Sequence, residues 1–278
     1  MKPRIQKGWL RALIFFISSL IVFILSKNLA NYIVKSLFSH YDVLPKVLIN
    51  RSIIFIITIL YIYIFRKYID NESLISMGFT LRKKGKDILH GIALGFVLMA
   101  ICFVFLLLTN QIKIIEIQFD PIALLLFFVI FFVASLIEEV LFRGYLLNNL
   151  MKSFNKYYAL IITAVLFSIV HLANPYLSVL VVFNLLLIGY LFGIYYIHVK
   201  NLWFSIFLHA SWSFFQVAIF GFPVFGLKFK PLITQQFQGS PFLTGTNFGL
   251  EGSILITILT IFSIFYLEQK YKKCKKEG

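Results

Sequence analysis

The chain has 278 residues, 60% of them hydrophobic and only 13% charged, with a mean hydropathy of +0.90. Soluble domains run about 45–50% apolar and about 25% charged, so this composition excludes an ordinary soluble domain. The net charge of +15 does not point to nucleic acid, because Lys and Arg sit in short clusters between apolar runs, with no long soluble segment to carry a basic groove.

Taken in chain order, the first segment has a basic start at Lys2, Arg4 and Lys7 and an apolar run from Leu13 to Leu25. Ser26-Lys27-Asn28-Leu29 follows without a small-x-small cleavage pattern, so a retained helix is expected rather than a signal peptide. Apolar runs near the roughly 20 residues that cross a bilayer core predict helices at about 10–34, 47–65, 88–109, 121–147, 157–173, 176–198, 201–221 and 250–267. The expected fold is therefore all-α: a polytopic membrane protein, a bundle of about eight transmembrane helices in a single integral membrane domain over 1–278. The segment 222–249, with Pro223, Pro231 and Pro241, is expected to cap the outer face. Continuous apolar runs, rather than alternating ones, exclude a β-barrel. Cys102 and Cys274 are too far apart in sequence to suggest a disulfide framework or a metal spacing.

Charge distribution sets the expected orientation. An even number of spans puts 18 of the 26 Lys and Arg residues on the side of the termini. The other side holds seven, namely Lys27, Lys35, Lys46, Arg51, Lys113, Lys228 and Lys230, and Arg143 falls inside a span. That bias predicts a multi-pass protein of the cell (inner) membrane with both termini cytoplasmic.

Ionisable groups in hydrocarbon cost about 2.5–3.5 kcal/mol each on insertion scales and default to functional hypotheses. The fourth span contains Glu138-Glu139-Val140-Leu141-Phe142-Arg143. Glu139 and Arg143 are spaced i,i+4 and share a helix face, so they can pair. Glu138 points about 100° away and lacks that intrahelical partner. An unpaired carboxylate in such a place takes up a proton or finds a partner on another helix, and either state suits a general acid or base.

Candidate partners follow. The fifth span carries Phe167-x-x-x-His171 and the seventh carries His209-x-x-x-Ser213, each pair one turn apart. Two histidines and a carboxylate from three helices can converge on one water, and two chemistries remain open. Without a metal, Glu138 and His171 polarise the water while His209 and Ser213 donate hydrogen bonds to the developing oxyanion. With a metal, Glu138, His171 and His209 form a His₂Glu shell for a possible zinc, assembled by tertiary folding because no H-E-x-x-H is present.

Together, Glu138-Glu139-x-x-x-Arg143, Phe167-x-x-x-His171 and His209-x-x-x-Ser213 resemble the three ordered motifs of the CPBP family. This is the CAAX-protease and bacteriocin-processing (Abi) group of intramembrane enzymes, which includes the Ras-converting CAAX endopeptidase. The resemblance covers about 80–270, with its core at 134–215. It implies a bundle of eight helices in which Glu138 and His171 activate water, Glu139 and Arg143 support them, and His209 with residue 213 forms the oxyanion hole. It also implies a glutamate-dependent mechanism. One position departs from the pattern: the third motif usually ends in Asn or Asp, and here it ends in Ser213.

The function expected is an intramembrane endopeptidase acting on a membrane-associated or hydrophobic peptide, with the lipid bilayer and a peptide or protein substrate as partners and no nucleic acid. The alternative is a catalytically silent relative serving as an immunity or adaptor protein through the same cavity. A proton-relaying transporter is a third class, disfavoured because no repeated half-structure is visible. Outside the motifs, Gly189-x-x-x-Gly193 and Asn184 are expected to serve helix packing, and Glu251 to sit at the start of the last helix.

Overall fold

In the computed structural model, residues 2–82, 84–174, 176–224, 230–245 and 247–273 are described. Cys274 and Lys83, Lys228, Lys275 and Lys276 of the charge count lie outside them. The helices are α1 (Gly8–Leu37), α2 (Val43–Phe65), α3 (Gly85–Leu108), α4 (Pro121–Glu139), α5 (Lys156–Val170), α6 (Val179–Val199), α7 (Trp203–Phe214) and α8 (Ile254–Lys273). Six helical runs are long and apolar enough to cross a bilayer, and the two shorter apolar runs, Lys156–Val170 and Trp203–Ile219, complete the expected eight. Exposed apolar side chains such as Ile17, Ile21 and Leu25 on α1 and Phe96 and Val104 on α3 present the hydrocarbon face.

Local chemistry fixes where the central helices start and stop. Asp120 caps α4, its carboxylate accepting from Ile122 N at 3.0 Å and Ala123 N at 2.9 Å, with Pro121 at the first helical position. Asn155 caps α5 through Tyr157 N at 2.9 Å, and Ser178 caps α6 through Val181 N at 3.2 Å. Lys200 closes α6 in the left-handed region, at φ 51°. Three helices continue into π-helical turns: α2 over Arg66–Asp70, α4 over Val140–Leu147 and α7 over Phe215–Ile219. The α4 widening begins directly after Glu139, and such turns are frequent at functional sites.

A two-stranded antiparallel sheet was not expected. Strand β1 (Ile112–Ile117) follows α3 and pairs with β2 (Ile233–Phe237), which lies within the predicted cap segment. Ile112 anchors this strand pair in the core, and a register shift falls between Ile114 and Glu116.

At the opposite end a buried polar cluster ties three helices together. Asp70 meets Arg66 at 2.8 Å and Arg11 at 3.5 Å, and accepts from Tyr145 Oη at 3.2 Å. Glu72 is held by Arg66 and Lys152, each at 2.6 Å. Trp9 N donates to Ser153 Oγ beside this cluster, while Glu268 of α8 pairs with His198 and Tyr157. Both described termini therefore lie at the end of the bundle where α4 finishes and α5 begins, as an even number of spans requires.

Small residues let the central helices approach closely. A Cβ added at Gly189 would stand 3.1 Å from Ala164 Cα, and Gly193 packs against Leu160. The G-x-x-x-G of α6 thus serves the α5–α6 contact. Asn184, fully buried, donates to the carbonyls of Glu251 and Ser253 at 2.8 and 2.9 Å and accepts from Thr257 at 2.6 Å, tying α6 to the start of α8.

Candidate active site

The site is built around an ion pair that the bilayer would otherwise make costly. Glu139 and Arg143 are 0% and 1% exposed, and Arg143 Nη1 lies 2.9 Å from Glu139 Oε1. Arg143 Nη2 donates to Gly189 O at 2.6 Å, so the guanidinium bridges α4 to α6 where the glycine allows it close. Its flat face packs on aromatic rings, with Cζ 5.0 Å from the Phe167 centroid and 5.7 Å from that of Phe192. Cation–π contacts of this kind are strongest when desolvated.

The pair organises His209. Glu139 Oε1 also meets His209 Nδ1 at 3.0 Å. Being the acceptor of a guanidinium, this oxygen fixes Nδ1 as a protonated donor. Nε2 then faces Glu138 Oε2 at 4.0 Å, too far for a hydrogen bond and wide enough for neither group to be spent on the other. The Phe192 ring lies 4.6 Å from the imidazole and limits its rotation.

His171 is oriented independently. It follows the last residue of α5, and its Nδ1 lies 2.7 Å from Phe167 O. A carbonyl only accepts, so Nδ1 carries the proton and Nε2 is the ring's acceptor, the form a general base needs. The Phe167 ring stands 4.8 Å from the imidazole.

Glu138, His171, His209 and Ser213 line one cavity of about 110 Å³. One water needs roughly 10–15 Å³ on this kind of measure, so the space holds several waters. Glu138, which lines it, is 33% exposed while Glu139 is sealed away, so the adjacent carboxylates occupy opposite environments. Of the six residues picked out in the sequence, four face the cavity and two, Glu139 and Arg143, stand behind it.

The metal reading fits less well. Among the described residues no three His, Cys, Asp or Glu side chains are grouped so as to hold an ion. His209 and His171 each commit Nδ1 to a protein oxygen, an orientation that suits a metal-bound imidazole as well as a metal-free one, so the tautomers alone do not separate the two chemistries.

Two further charged residues line the cavity. Arg51, grouped in the sequence with the outer cations, lies on α2 beyond Val47 and faces the site. An arginine within an apolar span was the signal for it. Glu251, expected only as a helix-start carboxylate, turns its side chain inward, accepting from Gln216 Nε2 at 3.0 Å and Trp212 Nε1 at 3.4 Å. Its position depends on the fold of the cap and left no mark in the sequence.

No curated protein matches the chain. Residues 120–215, which span α4 to the start of the π-helical turn of α7 and hold all three motifs, match a family model. That segment of this multi-pass membrane protein carries the Rce1-like family pattern, described as Type II CAAX prenyl endopeptidase Rce1-like, of the CPBP family.

Proposed function

We propose that the protein is an intramembrane endopeptidase in which Glu138, assisted by His171, activates a water molecule for attack on a peptide carbonyl. The observation that carries this reading is the division of labour between adjacent carboxylates: Glu139 is buried on Arg143 and His209, and Glu138 opens to a cavity that His171 shares. The family match supports CAAX-type peptidase activity.

The chemistry follows from these positions. Glu138 takes a proton from the water as its oxygen bonds to the carbonyl carbon, with His171 Nε2 holding the water in line. The carbonyl oxygen becomes an oxyanion, met by His209 Nε2 and the Ser213 hydroxyl. Because Nδ1 is committed to Glu139, Nε2 donates only when the ring carries both protons. Collapse breaks the C–N bond, and the proton held by Glu138 passes to the departing amine. The substrate is a membrane-associated or hydrophobic peptide, reached from within the bilayer, and both termini face the cytoplasm.

Ser213 is the observation favouring the second reading, a silent member that binds a membrane partner, because a hydroxyl reaches less far than the amide usual at this position. Comparing membrane-peptide termini by mass spectrometry, in cells carrying wild type, Glu138→Gln or His171→Ala at equal expression, separates the two. A peptidase produces termini that vanish in both variants. A binding protein leaves termini identical and the host phenotype intact in all three.

A further inference from the structure

Arg51 is a cation that the mechanism above does not use. It sits in α2, one turn beyond Val47, and with Val47 it joins Phe127, Ile130 and Phe131 of α4 in lining the cavity beside Glu138. Among the described residues no hydrogen bond or ion pair holds its guanidinium, and Glu138 is the carboxylate whose charge reaches it. The other arginines buried in the bundle are each paired: Arg143 with Glu139, and Arg11 and Arg66 with Asp70. A guanidinium that is only partly exposed, sharing its wall with Val47, Phe127, Ile130 and Phe131, is costly unless an anion meets it when the site is in use. Glu138 lines the same cavity but forms no ion pair with Arg51.

We infer that Arg51 is a specificity-determining residue that binds a carboxylate of the substrate peptide close to the scissile bond. The inference rests on the peptidase reading for the word substrate, but the binding it describes is measurable without turnover. The apolar lining on α2 and α4 takes the neighbouring hydrophobic side chains, and the planar guanidinium fork takes the carboxylate through two parallel hydrogen bonds. Two peptide groups supply that chemistry: the free C-terminal carboxylate, or an Asp or Glu side chain. Holding the anion on Arg51 also keeps it away from Glu138, so an acidic substrate does not suppress the base it needs.

The test uses the full-length protein in detergent micelles and four defined probes. These are acetyl-Leu-Leu-Leu as free acid and as amide, and acetyl-Leu-Asp-Leu amide with acetyl-Leu-Asn-Leu amide. Affinities are measured for wild type, Arg51→Gln and Arg51→Lys, and mass spectrometry of the probes afterwards reports hydrolysis separately. A charge-assisted pair predicts that wild type prefers one acidic probe over its neutral counterpart by roughly 10- to 100-fold. Preference in the first pair identifies a terminal carboxylate, and in the second a side chain. Arg51→Gln is expected to abolish the preference while binding the neutral probes as wild type does, and Arg51→Lys to retain part of it. Equal affinity of wild type for acidic and neutral probes, or a preference that survives Arg51→Gln, overturns the inference. If Arg51→Gln also weakens the neutral probes, Arg51→Lys decides: a retained preference supports the assignment and a lost one overturns it. Unhydrolysed probes that nonetheless show the preference would count against the peptidase reading alone.

Discussion

His209 Nδ1 lies 3.0 Å from Glu139 Oε1, the same carboxylate oxygen that Arg143 Nη1 meets at 2.9 Å. One buried oxygen thus sets both the charge balance of α4 and the tautomer of a histidine on α7. The motif residues act as a layered device: an ion pair at the back, an imidazole it orients, and a second carboxylate in front.

Removing either half of the buried pair leaves the other charge uncompensated, which typically costs about 3–5 kcal/mol. Glu139→Gln and Arg143→Met are each expected to lower thermal stability by that order. The double variant is expected to recover part of the loss but none of the activity, since His209 then has no carboxylate to hold Nδ1. Thermal unfolding in detergent, read beside peptide hydrolysis, checks both halves.

His209→Ala and Ser213→Ala remove the two proposed oxyanion donors. A single such donor is worth about 2.7–4 kcal/mol of barrier, or 10²–10³ in kcat. His209→Ala is expected to lie in that range with KM little changed, and Ser213→Ala below it. Ser213→Asn restores the longer amide and is expected to raise kcat above wild type. A rate at or below that of wild type shows that the hydroxyl already reaches the oxyanion.

Gly189 lets α5 and α6 touch and presents its carbonyl to Arg143. In Gly189→Ala the new methyl stands 3.1 Å from Ala164 Cα and 3.2 Å from Phe167 Cδ1, tighter than ordinary contact. Overpacking of this kind costs about 1–3 kcal/mol. The expected result is a lower unfolding temperature together with reduced activity, because Phe167 shifts with it.

The polar cluster at the terminal end is expected to weaken in acid. Partial burial works to raise the Glu72 carboxyl, but the hydrogen bond from Lys152 and the charges of Arg66 and Lys152 outweigh it and hold it below the usual carboxylate range. A carboxyl depressed on folding contributes stability above its unfolded value, near 4.3, and loses it as the pH falls through the folded value. Wild type should therefore lose unfolding temperature below about pH 4.3 more steeply than Glu72→Gln, whose amide does not titrate. Parallel slopes in that window would show that Glu72 carries none of the effect.

Much of this arrangement was legible in the sequence, for reasons of cost. Charges in the apolar run 131–144 must be paired or functional, and the i,i+4 spacing of Glu139 and Arg143 said which pair would form. The apolar run predicted from about 121 met the start of α4 at Pro121, which Asp120 caps. The β1–β2 pairing was not legible, because Ile112–Ile117 is short and its partner lies more than a hundred residues away, a pairing only tertiary folding decides. Arg51 falls inside the predicted helix 47–65, which was a signal, but it was counted with Lys46 among the outer cations, as a cation near the start of a span reads. Glu251 reaches the cavity only through the path of the cap, which no local pattern records.

The most direct test of the central claim is the kinetics of Glu138→Gln, purified and supplied with a substrate found from the membrane-peptide termini. Glutamine keeps the shape and the cavity but cannot accept the proton of water. The expected result is a wild-type unfolding temperature, KM within a few-fold, and kcat lowered by about 10²–10⁴ or more, the span of a lost general base. A Glu138→Gln enzyme within ten-fold of wild type would contradict it and move the chemistry off this carboxylate.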